Sequence, residues 1–202
     1  IVTTSQFNER FEKDGVLDYQ DGRNVLFTTG RIEAITENFR NTLTDGFAAG
    51  KYTNVTRNGE AGSNLDHVDT DFPMFRLADV YLMYAEAILR GASNGDRATS
   101  LNYLNAIKER AYGDASANIS DAGLTLDYIL EERGRELYFE GHRRIDLIRF
   151  NKFSDRAGAD ELIWDWKGQT INGSSVPSYL EIFPIPSSEL GVNSNLIQNE
   201  GY

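Results

Sequence analysis

Apolar residues recur at steps of three and four in three stretches of the chain. In the first, Leu126, Ile129, Leu130 and Leu137 form one stripe, which predicts an amphipathic helix from about Thr125. Gly141 is a natural stop for it, and Ile145, Ile148 and Phe150 predict a short second helix. The second stretch, Phe75–Arg90, carries Leu77, Val80, Tyr81, Tyr84 and Ile88 as its stripe and is followed by Gly91. Ala78, Ala85 and Ala87 leave room there for a close neighbour. In the third, Asp96 is the predicted N-cap of a helix to about Tyr112, with Leu101, Leu104, Ile107 and Ala111 inward and Gly113 closing it. The link over 91–95 is short, so the second and third helices are expected to lie antiparallel.

The remainder has shorter signals. Phe7, Phe11 and Leu17 suggest one weak helical face. Asp21-Gly22 is a turn, and Val25–Thr29 reads as a short strand. Lys51–Thr56 alternates like an edge strand, and 58–71 is a Gly-, Asn- and Asp-rich loop. Residues 151–177 carry little pattern. Tyr179–Phe183 reads as a strand that Pro184 and Pro186 forbid from extending. The tail 191–202 has no period, but Leu196, Ile197 and Tyr202 suggest that it is pinned to a surface. The expected architecture is mainly α: tetratricopeptide-like helix pairs with long loops and a few short strands. It divides into an irregular region (1–71), a helical scaffold (72–150) and a loop-rich segment (151–202).

Charge changes this picture around the first helix. Glu132, Glu136 and Glu140 follow at steps of four, a like-charge ladder that destabilises an isolated helix. Arg133 and Glu140 project beside the apolar stripe, roughly 10 Å apart along the axis and too far for a direct pair. Charges at a buried edge require cations from elsewhere. Arg76, Arg143, Arg144 and Arg149 are the candidates, so the sequence predicts a structural ion-pair hub of Arg76, Arg133, Glu136, Glu140, Arg143 and Arg144.

The formal net charge of −11 argues against nucleic acid or an anionic lipid surface as a partner. The chain has no cysteine, hence no disulfide and no thiol nucleophile. No run is long and apolar enough to span a membrane, and no signal peptide opens the chain. Ile1 stands where an initiator methionine would, and the chain is expected to be the C-terminal part of a longer protein.

Candidate chemistry is sparse. Glycoside hydrolysis needs two carboxyls about 5–10 Å apart across an open cleft. Glu136 and Glu140 share one helix amid arginines, so ion pairing is favoured and no catalytic residue is assigned. His142 stands two residues after Glu140, off the di-iron step of three, and His67 is remote from it. Asn64, Asp66, Asp69 and Asp71 lack the EF-hand order. No metal and no cofactor is expected. No nucleophile elbow or phosphate loop appears. Sugar binding leaves a fainter trace. Trp164 and Trp166 flank Asp165, and an extended backbone would turn both rings to one side as a stacking platform. Tyr52 and Asn54 alternate in the same way.

Three blocks, in order, carry a resemblance. The run Glu132-Arg-Gly-Arg-Glu-Leu-Tyr-Phe-Glu-Gly-His-Arg-Arg-Ile-Asp-Leu-Ile-Arg149 resembles the signature helix of the SusD/RagB family. Arg76-Leu-Ala-Asp-Val-Tyr-Leu-Met-Tyr-Ala-Glu-Ala87 resembles the helix before it. Phe183-Pro-Ile-Pro-Ser-Ser-Glu-Leu190 with Asn195–Tyr202 resembles the closing segment. Asp18–Arg23 is similar to an aspartate–arginine turn of the same family. The likeness covers Lys51–Tyr202 well and the first fifty residues loosely.

The resemblance implies a nutrient-binding protein of the outer-membrane surface, held there by an N-terminal lipid anchor outside this chain. It implies oligosaccharide binding within a polysaccharide uptake system, beside a SusC-like TonB-dependent transporter, and no covalent chemistry. A helical scaffold that binds peptide or protein is the alternative, and a glycan-active enzyme is a weaker one.

Overall fold

A computed structural model describes residues 2–38, 42–56, 58–64 and 66–202. Leu65, inside the loop expected over 58–71, lies outside the described residues. The chain divides into two compact units, Ile1–Arg143 and Arg144–Tyr202.

The first unit is built on three helices, here α2 (Leu77–Leu89), α3 (Arg97–Tyr112) and α4 (Leu126–Glu136). Their local signals act as expected. The Asp96 carboxylate accepts from Thr99 N at 2.7 Å, and Gly113 ends α3 at φ +80°. Thr125 Oγ1 accepts from Tyr128 N at 3.1 Å at the start of α4. The N-terminus of α2 lies beside the C-terminal turn of α3, where Arg76, Leu77, Ile107 and Arg110 share one groove, so the two helices run antiparallel. Leu82, Ala85, Leu104, Ile107, Ile129 and Leu137 meet in the core between them.

Two expectations change here. The buried face of α2 is not the predicted stripe. Leu77 is 63% exposed and Val80 is exposed too, whereas Asp79 and Glu86 are buried beside Leu82 and Ala85. The physical reason is pairing: Arg133 donates to Asp79 at 2.7 Å and Arg90 to Glu86 at 2.8 Å, so both carboxylates tolerate burial. The glutamate ladder is also not continuous helix. α4 ends at Glu136, and positive φ at Phe139 (62°) and Gly141 (78°) turns the chain so that Glu140 returns to the same cluster.

The first fifty residues wrap this helical core. β1 (Val2–Thr3), β4 (Leu26–Phe27) and β5 (Phe47–Ala49) form a small antiparallel sheet in the order β1-β5-β4, pairing Val2 with Ala48 and Leu26 with Ala49. β2 (Glu12–Lys13) and β3 (Val16–Leu17) make a hairpin through Asp14-Gly15, both at positive φ as such a turn requires. Phe7 lies on a single helical turn, α1 (Ser5–Asn8), and Leu17 on β3, so the one helical face suggested for Phe7, Phe11 and Leu17 is split. They still converge, packing with Leu26 and Tyr138 in a second apolar cluster. Lys51–Thr56 forms no strand; Val55 makes one isolated bridge to Ala61, and the Lys51 side chain turns inward.

The second unit opens inside α5 (Arg143–Arg149) and contains α6 (Ser187–Val192). The strand expected at Tyr179–Phe183 is instead a 3₁₀ turn over Ser178–Glu181. Pro184 and Pro186 supply no N–H for a ladder, and their neighbours' carbonyls are taken by the tail. Asn199 donates to Phe183 O at 2.8 Å, Gln198 binds both the N–H and the C=O of Ile185, and the Tyr202 hydroxyl donates to Ile182 O at 2.7 Å. The tail is therefore fixed by polar side chains and one ring; Ile197, expected to help, is 87% exposed.

Candidate functional site

The densest chemistry of the first unit lies where α4 ends. Glu132 accepts from Arg23 Nη1 at 2.6 Å and from Arg135 Nε at 2.9 Å. Glu136 accepts from Arg76 Nη1 at 2.5 Å, from Arg23 Nη1 at 3.2 Å and from Arg110 Nη2 at 2.6 Å. Glu140 accepts from Arg76 Nε at 2.6 Å and pairs with the Lys51 ammonium. Lys51 also caps the Glu136 and Tyr138 carbonyls at 2.8 and 2.9 Å, which the end of α4 leaves without helical partners. Arg23 in turn holds Asp21 through two parallel bonds at 2.8 and 2.7 Å.

Local structure delivers each group. Asp21-Gly22 turns the chain and sets Arg23. Arg76 occupies the N-cap of α2 in extended geometry without capping it, since a guanidinium has no acceptor for the free N–H groups, and it donates to the glutamates instead. Arg110 reaches over from the last turn of α3.

The electrostatics follow from this crowding. Burial of Glu132 favours its neutral form, but Arg135 and Arg23 outweigh that and hold its carboxyl at about 2. Glu140 is likewise held below the usual carboxylate range, because Arg76 and Lys51 overcome its burial. Burial draws Lys51 below the usual lysine range, and Glu140 opposes that pull. Burial raises the Tyr138 phenol, with Asp21 reinforcing it. A carboxylate held below its ordinary pKa carries no proton to give at neutral pH, so Glu132 and Glu140 are anchors, not general acids.

Above this cluster opens a cleft of about 380 Å³, lined among others by Tyr52, Asp71, Arg76, Arg110, Glu136 and Glu140. Glu136 and Glu140 form part of its wall with their oxygens already occupied. The Tyr52 ring, 43% exposed, stands at the cleft with the Lys51 ammonium 5.7 Å from its centroid.

Of the predicted hub, the structure brings Arg76, Glu136 and Glu140 together. Arg133 serves the α2–α4 contact through Asp79 instead. Arg143 bonds Leu130 O and Glu131, both at 2.9 Å. Arg144 donates to Leu180 O at 2.5 Å and Arg149 to Asp146 at 2.8 Å within the second unit. Arg143, Arg144 and Arg149 come after the turn at Phe139–Gly141, whereas Arg133 lies within α4. Arg23, Lys51, Arg110 and Arg135 take their places and escaped the sequence reading. Only the Asp18–Arg23 turn carried a signal for one of them.

The candidate sugar contacts belong to both units. Asn54 is committed to its own loop, donating to Asn64 O at 2.8 Å and accepting from Asp69 N at 3.0 Å. Asp69 in turn accepts from Ser63, which fixes the same loop. In the second unit, Trp166 has φ +67°, so Trp164-Asp165-Trp166 is a turn and not the extended segment a shared ring face needs. The buried Lys167 ammonium lies 4.6 Å from the Trp164 centroid and bonds Glu161 at 2.5 Å.

Comparison with known proteins agrees with this architecture. The sequence profile described as the SusD family matches residues 5–202. The starch-binding protein SusD of Bacteroides thetaiotaomicron is 40% identical over 162 residues, covering 79% of this chain and 27% of that protein. SusD-like protein P25 of Formosa agariphila is 36% identical over 137 residues, covering 64% of this chain and 24% of that one. The crystal structure of a SusD superfamily protein from Bacteroides vulgatus superposes with a TM-score of 0.65 at 25% identity, covering 98% of this chain and 39% of that one. The chain thus spans between a quarter and two fifths of the length of these relatives. A profile match over nearly every residue, with the ion-paired α4 at its centre, means that this chain belongs to the SusD family.

Proposed function

We propose that this chain is part of a surface glycan-binding protein that captures oligosaccharide without chemical conversion. It would work at the outer membrane within a polysaccharide utilisation system, beside a TonB-dependent transporter. The observation that carries the reading is the 40% identity to a starch-binding protein across most of this chain. The cleft beside α4 is compatible with it. Its Tyr52 ring offers a flat apolar face, and Asp71 and the half-exposed Arg110 offer polar groups for hydroxyls. Trp164, with one neighbour already over its ring, and Trp166 are secondary candidates.

Affinity electrophoresis and calorimetry against a panel of neutral polysaccharides test this. Tyr52→Ala is expected to weaken binding roughly threefold to tenfold, the value of one ring contact. Trp164→Ala and Trp166→Ala are expected to matter less. Unchanged binding in Tyr52→Ala removes the cleft from the reading. Absence of binding to every polysaccharide favours the alternative, a helical scaffold for peptide, which the exposed Leu77, Val80 and Met83 on α2 support.

A further inference from the structure

A second set of guanidinium groups meets on α4, and its charges are not matched. Arg10 and Arg143 share one carboxylate, Glu131: Arg10 Nε lies 2.9 Å from Oε2 and Arg143 Nη2 lies 2.9 Å from Oε1. The Arg10 Nε–H is buried and sits off line to that oxygen, so the contact is an ion pair and not a straight hydrogen bond. Its Nη1 donates to Gln6 O at 2.7 Å, so the side chain is held in place by its other end. Gly134 lets the two guanidiniums approach the helix; a Cβ there would stand 3.0 Å from Arg10 Nε and 3.2 Å from Arg143 Nη1.

Beside these groups is a hollow of about 190 Å³, separate from the cleft and walled by Phe7, Tyr138 and Phe139 as well as Arg10 and Arg143. The Phe7 and Phe139 rings are near parallel, 6.5 Å between centroids. Two guanidiniums share one carboxylate there, and the walls are aromatic. Burial, with Arg143 next, presses Arg10 down to about 10, so the site gains from a further negative charge.

We propose that this hollow binds a singly charged oxyanion carried on a sugar ring, the carboxylate of a uronate or a sulfate ester, with the oxyanion on Arg10 and Arg143 and the ring's C–H face against Phe139. A guanidinium fork suits such planar or tripodal oxygens, and a neutral sugar offers it no charge. The sugar component rests on the glycan reading above; the oxyanion component rests on the hollow alone.

Calorimetry on the intact chain with galacturonate, galactose 6-sulfate and galactose tests it. At least one charged sugar is expected to bind about tenfold or more tightly than galactose, the worth of one charge-assisted hydrogen bond. Arg10→Met is expected to abolish that difference while leaving neutral polysaccharide binding intact. Phe139→Ala, at a partly exposed ring, is expected to weaken the charged sugars severalfold. Circular dichroism confirms that each variant is folded. Equal affinity for all three sugars overturns the proposal, as does an Arg10→Met variant that retains the full preference. Charged-sugar binding that depends on Arg10, in a protein that binds no neutral polysaccharide, upholds the hollow and removes the cleft reading.

Discussion

Two charge clusters meet at α4, and they differ in how far they are interlinked. In the ladder cluster, Asp21, Glu132, Glu136 and Glu140 face Arg23, Lys51, Arg76, Arg110 and Arg135, and each glutamate has at least two donors from different segments. In the other, two guanidiniums divide one glutamate, and one buried N–H meets it off line. The residue types are the same and the helix is the same. Saturated carboxylates fasten the 21–23 turn, Lys51, α2 and α3 to the end of α4. The second cluster borders the hollow walled by Phe7, Tyr138 and Phe139.

The sharpest way to break that contrast is to remove a ladder carboxylate. Glu136→Gln leaves Arg23, Arg76 and Arg110 short of a shared anion, and breaking a buried pair from one side costs about 3–5 kcal/mol. Urea denaturation reads this as a fall in midpoint. A loss under about 1 kcal/mol would mean that the cluster holds nothing together.

Acid titration comes next. The Glu132 carboxyl is lowered from 4.5 to about 2 on folding. A depressed carboxyl contributes stability that is complete above 4.5 and disappears as pH falls towards 2, on the order of 3 kcal/mol for this shift. Glu140 acts in the same direction. Stability measured at pH 6 and at pH 3 should differ accordingly, and Glu132→Gln should flatten the profile. An equally flat profile in the unaltered protein would contradict the pairing.

Gly134→Ala should cost about 1 kcal/mol even though alanine is the better helix former by a similar amount, because the added methyl displaces Arg10 and Arg143. A stabilised variant would show that the guanidiniums yield freely. The smallest effect is expected for Arg10→Met. Removing one of two cations that compete for Glu131 should change stability by less than about 1 kcal/mol in thermal or urea unfolding. A cost comparable to Glu136→Gln would erase the distinction between the clusters.

Particular residues show how much was legible. Asp96, Thr125 and Gly113 act through hydrogen bonds to their own neighbours, so their signals survive in a linear reading. The glutamate ladder announced that cations were needed, and Arg76 was found because its motif precedes α2. Lys51 and Arg110 were not found, since nothing local marks a side chain whose partner is 89 or 26 residues away, and the turn at Asp18–Arg23 did not reveal that Arg23 reaches a glutamate 113 residues on. Trp164 and Trp166 show the limit of alternation: it presumed an extended segment, and Trp166 is in the left-handed region instead.

The sequence by itself determined which stretches are helical and several of their caps, that the fold is mainly α, and that carboxylates at the end of α4 must be neutralised. Those follow from periodicity, capping and the cost of unpaired charge, all of which act over a few residues. Only the tertiary structure decided which cations answer them, which face of α2 is buried, and where guanidiniums outnumber carboxylates. Those depend on which distant segments the packed chain brings within about 3 Å, the reach of a hydrogen bond.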